Sequence, residues 1–320
     1  MRLWKTPLLL LTLFMLAGTA AAEDYPTRPV TLIVPFPAGG GVDAMGRLVA
    51  HRLTQVFGQQ VIVDNKGGAA GVVGMRVAMH AHADGYTLVM TTSGSTSISP
   101  LLYADPGYDP LKDFAPIGLV ASTPIVLMAH PSFSAHSIKD VIALAKTRSV
   151  TAGTPPPGTE NYMAAELFKS MTGADITIVS YKGTGPLTND LLGAHVDFGF
   201  NTLPPALGNI QAGSLRAIAV AGAARSALLP DVATVIESGL PGFEAAVRYG
   251  LMAPVGTPRP IVDRINRELR SMVSIEETRK GIVAQGSDPL TSSPEEYAAD
   301  IAREQAKWSA LIKKLGLKLE

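Results

Sequence analysis

Apolar positions along the chain follow two alternating rhythms. Val30-Thr31-Leu32-Ile33-Val34 is a short β-branched run between Pro29 and Pro35, the pattern of a buried strand. Apolar residues then stand at 42, 45, 48, 49, 53 and 56, which is helical spacing. Val61-Ile62-Val63 predicts a second strand, residues 71–80 a helix, and Thr87-Leu88-Val89-Met90 a third strand. Strand, helix, strand, helix, strand implies a parallel sheet with helices on its faces.

The rhythm then restarts. Residues 117–121 and 125–129 predict two strands parted by Ser122-Thr123-Pro124. A helix is expected over 137–146, a strand at 150–152, a loop at Thr154-Pro155-Pro156-Pro157-Gly158, and a helix over 159–171. Strands at 176–179, 196–200 and 215–221 and a helix at 186–192 follow, then a buried strand near 249–253. Helices over 259–272, 276–284 and 294–315 close the chain. The expected organisation is two α/β lobes, 23–122 plus 247–320 and 123–246. The crossings near Ser122-Thr123-Pro124 and Glu244-Ala245-Ala246 are candidate hinges. The last helices should return to the first lobe, with Tyr297 and Trp308 packed as core.

The N-terminus adds an address. Arg2 and Lys5 precede an apolar run over 8–16, and Ala20-Ala21-Ala22 supplies a small-residue cleavage pattern, the layout of a secretory leader over residues 1–22. The run is shorter than the roughly 20 residues that span a bilayer. The whole chain is neutral, with 27 basic and 27 acidic side chains. Cleavage would remove Arg2 and Lys5 and leave a net charge of −2 on a free periplasmic protein. A balance near zero carries no global footprint for nucleic acid. The absence of cysteine removes disulfides, thiolate metal sites, cysteine nucleophiles and a lipid-bearing cysteine.

Candidate chemistry lies where strands end. Gly39-Gly40-Gly41-Val42-Asp43-Ala44 follows a strand, opens a helix and formally satisfies a dinucleotide-binding pattern. Pro35-Phe36-Pro37-Ala38 lengthens the turn such sites keep tight, and Asp43 would repel a pyrophosphate. A helix start offering free N–H groups to a small anion fits better. Gly158-Thr159-Glu160-Asn161-Tyr162, Lys182-Gly183-Thr184-Gly185 and Thr91-Thr92-Ser93-Gly94-Ser95 are further polar loops at strand ends. Together they predict a cleft rich in neutral donors, suited to a small carboxylate. Catalytic constellations are poor. His80 and His82 are the one close histidine pair and read as a solvated helix end, so no metal is expected. An exported enzyme using Ser93 or Lys182 is the competing reading.

Longer motifs carry a resemblance. Tyr25-Pro26 and the run from Val34-Pro35-Phe36-Pro37 through Gly39-Gly40-Gly41-Val42-Asp43 resemble the opening of the Bug-type substrate-binding proteins of tripartite tricarboxylate transporters. So do Asp84-Gly85-Tyr86, Tyr108-Asp109-Pro110, Glu166-Leu167-Phe168, Tyr181-Lys182-Gly183, Leu228-Leu229-Pro230 and Gly239-Leu240-Pro241-Gly242-Phe243. The resemblance implies a two-lobed periplasmic binding protein fold of type II-like α/β architecture, closing on one small acid without a cofactor. It implies contacts from Phe36, Pro37, Gly40, Gly41, Val42 and Asp43, with Ser93 and Gly94, on the first lobe. Thr154, Gly158, Thr159, Glu160, Asn161, Tyr162, Gly183, Thr184 and Asn201 would serve on the second. Membrane subunits of such a transporter would be the partners of a monomeric receptor. Family members often carry small polar residues and a His where this chain has Glu160, Asn161 and Tyr162, and Asp where it has Asn201. The added carboxyl makes the second-lobe rim less welcoming to a dianion. A monocarboxylate, aromatic acid, amide or zwitterion is therefore expected over citrate.

Overall fold

The first apolar run forms β1 (Val30–Val34), and the amphipathic stretch after the glycines forms α1 (Gly41–Phe57), stopped by Gly58. A computed structural model of the chain describes residues 25–319. The leader expected over 1–22 lies outside the described residues. β2 (Val61–Asn65), a tight turn at Ala69–Gly71, α2 (Val72–Met79) and β3 (Thr87–Thr92) follow. β1 lies parallel between β2 and β3, with Val30 opposite Val61 and Thr31 opposite Thr87. This is the expected strand–helix unit. His80 and His82 are exposed at and just beyond the end of α2.

Two expectations need correction. Residues 91–95 are not a loop. Thr91 and Thr92 belong to β3, and Gly94–Ile98 coils as a wide helical turn into α3 (Ser99–Leu102). The hydroxyls there bond inward: Ser95 Oγ donates to the Thr92 carbonyl at 2.9 Å, and Thr92 N–H donates back to Ser95 Oγ at 3.1 Å. Nor does Ser122-Thr123-Pro124 break a strand. β4 (Phe114–Ala129) runs through it unbroken. Pro124 has no N–H, so it can end one ladder. It sits where the strand changes partners, last in register with Ala246, while Ile125 begins pairing with Thr202.

The second half builds α4 (Ile138–Ala145), β5 (Val150–Thr154), α5 (Glu160–Thr172), β6 (Ile176–Ser180), α6 (Thr184–Leu192), β7 (Phe198–Thr202), α7 (Leu207–Gln211) and β8 (Arg216–Val220). β5 lies parallel between β6 and β7, and β7 and β8 pair antiparallel with the far end of β4. β9 (Ala246–Pro254) then returns antiparallel between β3 and the near end of β4. α8 (Arg259–Ser274), α9 (Glu276–Ala284), the short β10 (Asp288–Pro289) and α10 (Pro294–Leu315) complete the fold. α8 and α10 pack on β4. Ser293 and Glu296 form a capping box that starts α10. Tyr297 and Trp308 are buried on it.

One apolar cluster joins both halves, from Val30 and Leu53 through Ile125 and Leu127 to Phe168, Phe198, Phe200 and Trp308. A buried polar seam runs beside it. Arg248 of β9 pairs with Glu304 of α10 at 2.8 Å, and Trp308 Nε1–H donates to the same carboxylate at 3.1 Å. Lys307 donates to the Glu244 carbonyl at 2.9 Å, tying α10 to the segment that leads into β9.

Candidate ligand-binding site

Three strand-to-helix joints open on one cavity of about 660 Å³. They are β1–α1, β5–α5 and β6–α6. Each sets a helix N-terminus on the wall, at Gly40-Gly41-Val42, at Thr159-Glu160-Asn161 and at Gly183-Thr184-Gly185. First-turn N–H groups have no helical carbonyl to bond, so such ends attract anions. Thr92, Val247 and Tyr249 contribute from the first half and Thr202 from the second. The Thr202 hydroxyl is buried without a hydrogen-bond partner in the protein. The volume suits a small metabolite.

Of the residues expected to touch a ligand, Phe36, Pro37, Gly40, Gly41, Val42, Thr159, Glu160, Asn161, Gly183 and Thr184 line this cavity. The others lie behind it. Asp43 turns its carboxylate back into the β1–α1 loop, accepting from Gly39 N–H, Arg47 Nε and Asn65 Nδ2, each at 3.0 Å. Burial alone would raise this carboxyl; Arg47 and the two N–H donors overcome it and hold it below the ordinary range. Asp43 therefore shapes the loop and does not face the cavity. Gly158, at φ +96°, brings its carbonyl within 3.1 Å of the Ser99 hydroxyl. Thr154 is fully buried at the end of β5. Asn201 bonds the Thr184 carbonyl and the Thr188 hydroxyl, steadying the start of α6 from behind. Tyr162 faces away and pairs with Glu166 one turn on.

Ser93 and Gly94 meet Glu160 across the joint between the halves. Ser93 Oγ donates to Glu160 Oε1 at 2.5 Å, Gly94 N–H donates to the same oxygen, and Arg248 N–H donates to Ser93 Oγ at 3.1 Å. Glu160 is only 3% exposed, so it does not point to solvent. Burial pushes its carboxyl up to about 7 despite the donors around it, with the Glu304 carboxylate pushing the same way. Asn161 is fixed by donating to the Phe200 carbonyl at 3.1 Å.

Several lining residues had no strong local signal. Gly67 to Gly71 and Pro155-Pro156 both line the cavity with apolar surface. The glycines and prolines were visible as turns, but nothing nearby in sequence brings the two segments to one cavity. Tyr249 reads as an ordinary strand residue, yet its hydroxyl reaches the floor beside Gly41 and bonds Thr123. Lys182 is the one cation among the described lining residues, exposed on the wall. Among the described residues no cluster of three or more His, Asp or Glu is placed to hold a metal.

The family model TctC, described as the tripartite tricarboxylate transporter family receptor, matches residues 45–317. The chain belongs to this family. It is 35% identical over 308 residues to Protein BugT of Bordetella pertussis (strain Tohama I), covering 95% of this chain and 94% of that one. Among solved structures it is similar to R. palustris Rpa4515 with adipate, at 34% identity and a TM-score of 0.88, covering 92% and 99% of the two chains. The periplasmic binding protein BugD is similar at 33% identity and a TM-score of 0.86, covering 92% and 100%. The chain is thus a solute receptor of the two-lobed periplasmic type, as its motifs implied.

Proposed function

We propose that this receptor holds one small organic carboxylate between its lobes, passes it unchanged to the membrane subunits of a tripartite transporter, and reaches the periplasm through cleavage after residue 22. The observation that carries this reading is the convergence of three helix N-termini, from both lobes, on one cavity. Each such end contributes about 0.3–1 kcal/mol toward an anion. The unpartnered Thr202 hydroxyl adds a donor. The adipate held by Rpa4515 supports the ligand class. The lobes are 23–122 plus 247–320 and 123–246. They hinge at Pro124, where β4 changes partners, and at the chain just before β9.

A hydrolytic reading is weaker. Ser93 lies behind the cavity wall with its hydroxyl bonded on both sides, out of reach of a substrate. Lys182 lies in the open, without the burial that would make an amine nucleophilic. A thermal-shift screen of small acids tests the reading. An acid at 100 times its Kd raises stability by about 2.7 kcal/mol and is recovered intact. No shift with any acid, or consumption of the bound acid, overturns it.

A further inference from the structure

Glu160 is the one carboxyl-bearing residue among the described residues that line the cavity. It is the first residue of α5, lines the cavity and is almost completely buried. Its Oε1 takes the Ser93 hydroxyl and the Gly94 N–H from the opposite lobe, and its carboxylate also bonds its own backbone N–H. The Glu160 backbone N–H is a group that a ligand carboxylate would recruit at that helix start. Arg248, whose backbone N–H reaches the same Ser93 hydroxyl, turns its guanidinium to Glu304 at 2.8 Å, and among the described residues no salt bridge reaches Glu160. The α1 and α6 starts hold no such internal carboxyl on the wall, and Lys182 stands next to the α6 start.

We propose that Glu160 is the charge filter of the site. It fills one of the three anion positions with the protein's own carboxyl group. The receptor then selects acids that carry one carboxylate and a neutral or cationic far end, and rejects dicarboxylates of the same length. The ligand carboxylate sits at the α1 and α6 starts. Its body lies between Phe36, Pro37, Pro155 and Pro156, and its far end meets Glu160. A second carboxylate there would meet the like charge of a buried group and find the α5 helix start already occupied by Glu160.

This rests on the receptor reading above and is tested by titration calorimetry at pH 8. The probes are matched sets: succinate, succinamate and 4-aminobutyrate, then adipate, adipamate and 6-aminohexanoate. In the wild-type chain at least one singly carboxylated member binds ten times or more tighter than its dicarboxylate, about 1.4 kcal/mol. In Glu160→Gln, which keeps an acceptor for Ser93 and Gly94, the ratio falls to within about threefold because the dicarboxylate tightens. Dicarboxylates binding as well as their partners in the wild type, or an unchanged ratio in the variant, overturn the filter and leave the receptor reading intact. Failure of every carboxylate, in these sets and in the thermal-shift screen, overturns both. The wild-type series needs no variant, and a melting curve checks that Glu160→Gln is folded.

Discussion

Gly41 lies beneath the Tyr249 hydroxyl: a Cβ on Gly41 would stand 3.1 Å from that oxygen and 4.0 Å from the Thr202 hydroxyl. Those atoms come from β9 and β7, so the bare glycine backbone is what lets the start of α1 close on the cavity floor. Gly41→Ala adds a methyl group where the ligand and both hydroxyls meet. Its φ is not positive, so the backbone accepts alanine. The expected result is a carboxylate Kd raised about tenfold, or about 1.4 kcal/mol. Tm without ligand should move by no more than about 2–4 °C. Calorimetry and a melt on the same sample check both.

Asp43 holds the β1–α1 loop from behind. Asp43→Ala leaves the Gly39 N–H and the Asn65 amide without their acceptor and frees Arg47. The expected loss is about 1–3 kcal/mol of stability, with weaker ligand binding because Phe36 to Gly41 loosens. The sign with pH follows from the lowered carboxyl. Its contribution is present above the ordinary Asp range, near pH 4, and disappears as pH falls through the depressed folded value. Urea melts of wild type and variant should differ by a constant amount above about pH 5 and converge in stronger acid.

Glu160 works in the opposite sense. Burial lifts its carboxyl from 4.5 to about 7, so the folded chain keeps a proton that the unfolded chain has lost. Its contribution is most favourable below about pH 4.5, declines as pH rises to about 7, and is level beyond. The decline amounts to about 3 kcal/mol at roughly 1.4 kcal/mol per pH unit. Asp300, raised by burial, acts in the same direction. Glu160→Gln should remove the Glu160 part, leaving a flatter profile in urea melts between pH 4.5 and 8. A variant profile parallel to the wild type would show that Glu160 titrates as an ordinary carboxyl.

Lys182 sits on the cavity wall and is exposed. Exposed charges act weakly and are screened by salt. Lys182→Gln should raise the carboxylate Kd about threefold in dilute buffer and hardly at all in 0.5 M salt. Titrations at two ionic strengths decide this.

The periodic elements were readable because their signals are local. Val30 to Val34 is enclosed by prolines, and the apolar stripe from Val42 to Val56 has a helix's spacing. The continuity of β4 was not readable. Thr123 and Pro124 look like a turn until Ser287 supplies a hydroxyl partner and β9 a ladder, both more than a hundred residues away. The glycine loops marked strand ends, and the Thr/Ser segment straddles one, with Thr91 and Thr92 in β3 and Gly94 opening a helical turn. Whether their polar groups face a ligand or one another depends on neighbours from the other lobe. Ser93, 67 positions from Glu160, donates to that carboxyl and recedes behind the wall. Asp43 is withdrawn by Asn65, at the end of a different strand. Tyr249 had no local signal, since its role comes from the glycine it covers.

Because β4 pairs with β9 at one end and with β7 and β8 at the other, the two parts of the sheet share a strand and are expected to melt together. Losing the ladder to β9 would strip the near end of β4 and expose the apolar cluster that continues into Phe168 and Phe200. The chain also crosses between these two parts at one place: Ala221 N–H donates to the Ile125 carbonyl at 2.7 Å, and Ala245 N–H donates to the Ala221 carbonyl at 2.8 Å. The receptor should therefore absorb heat in a single cooperative endotherm, its calorimetric and van't Hoff enthalpies agreeing. Ligand, bound between the lobes, should carry that whole transition upward instead of splitting it in two.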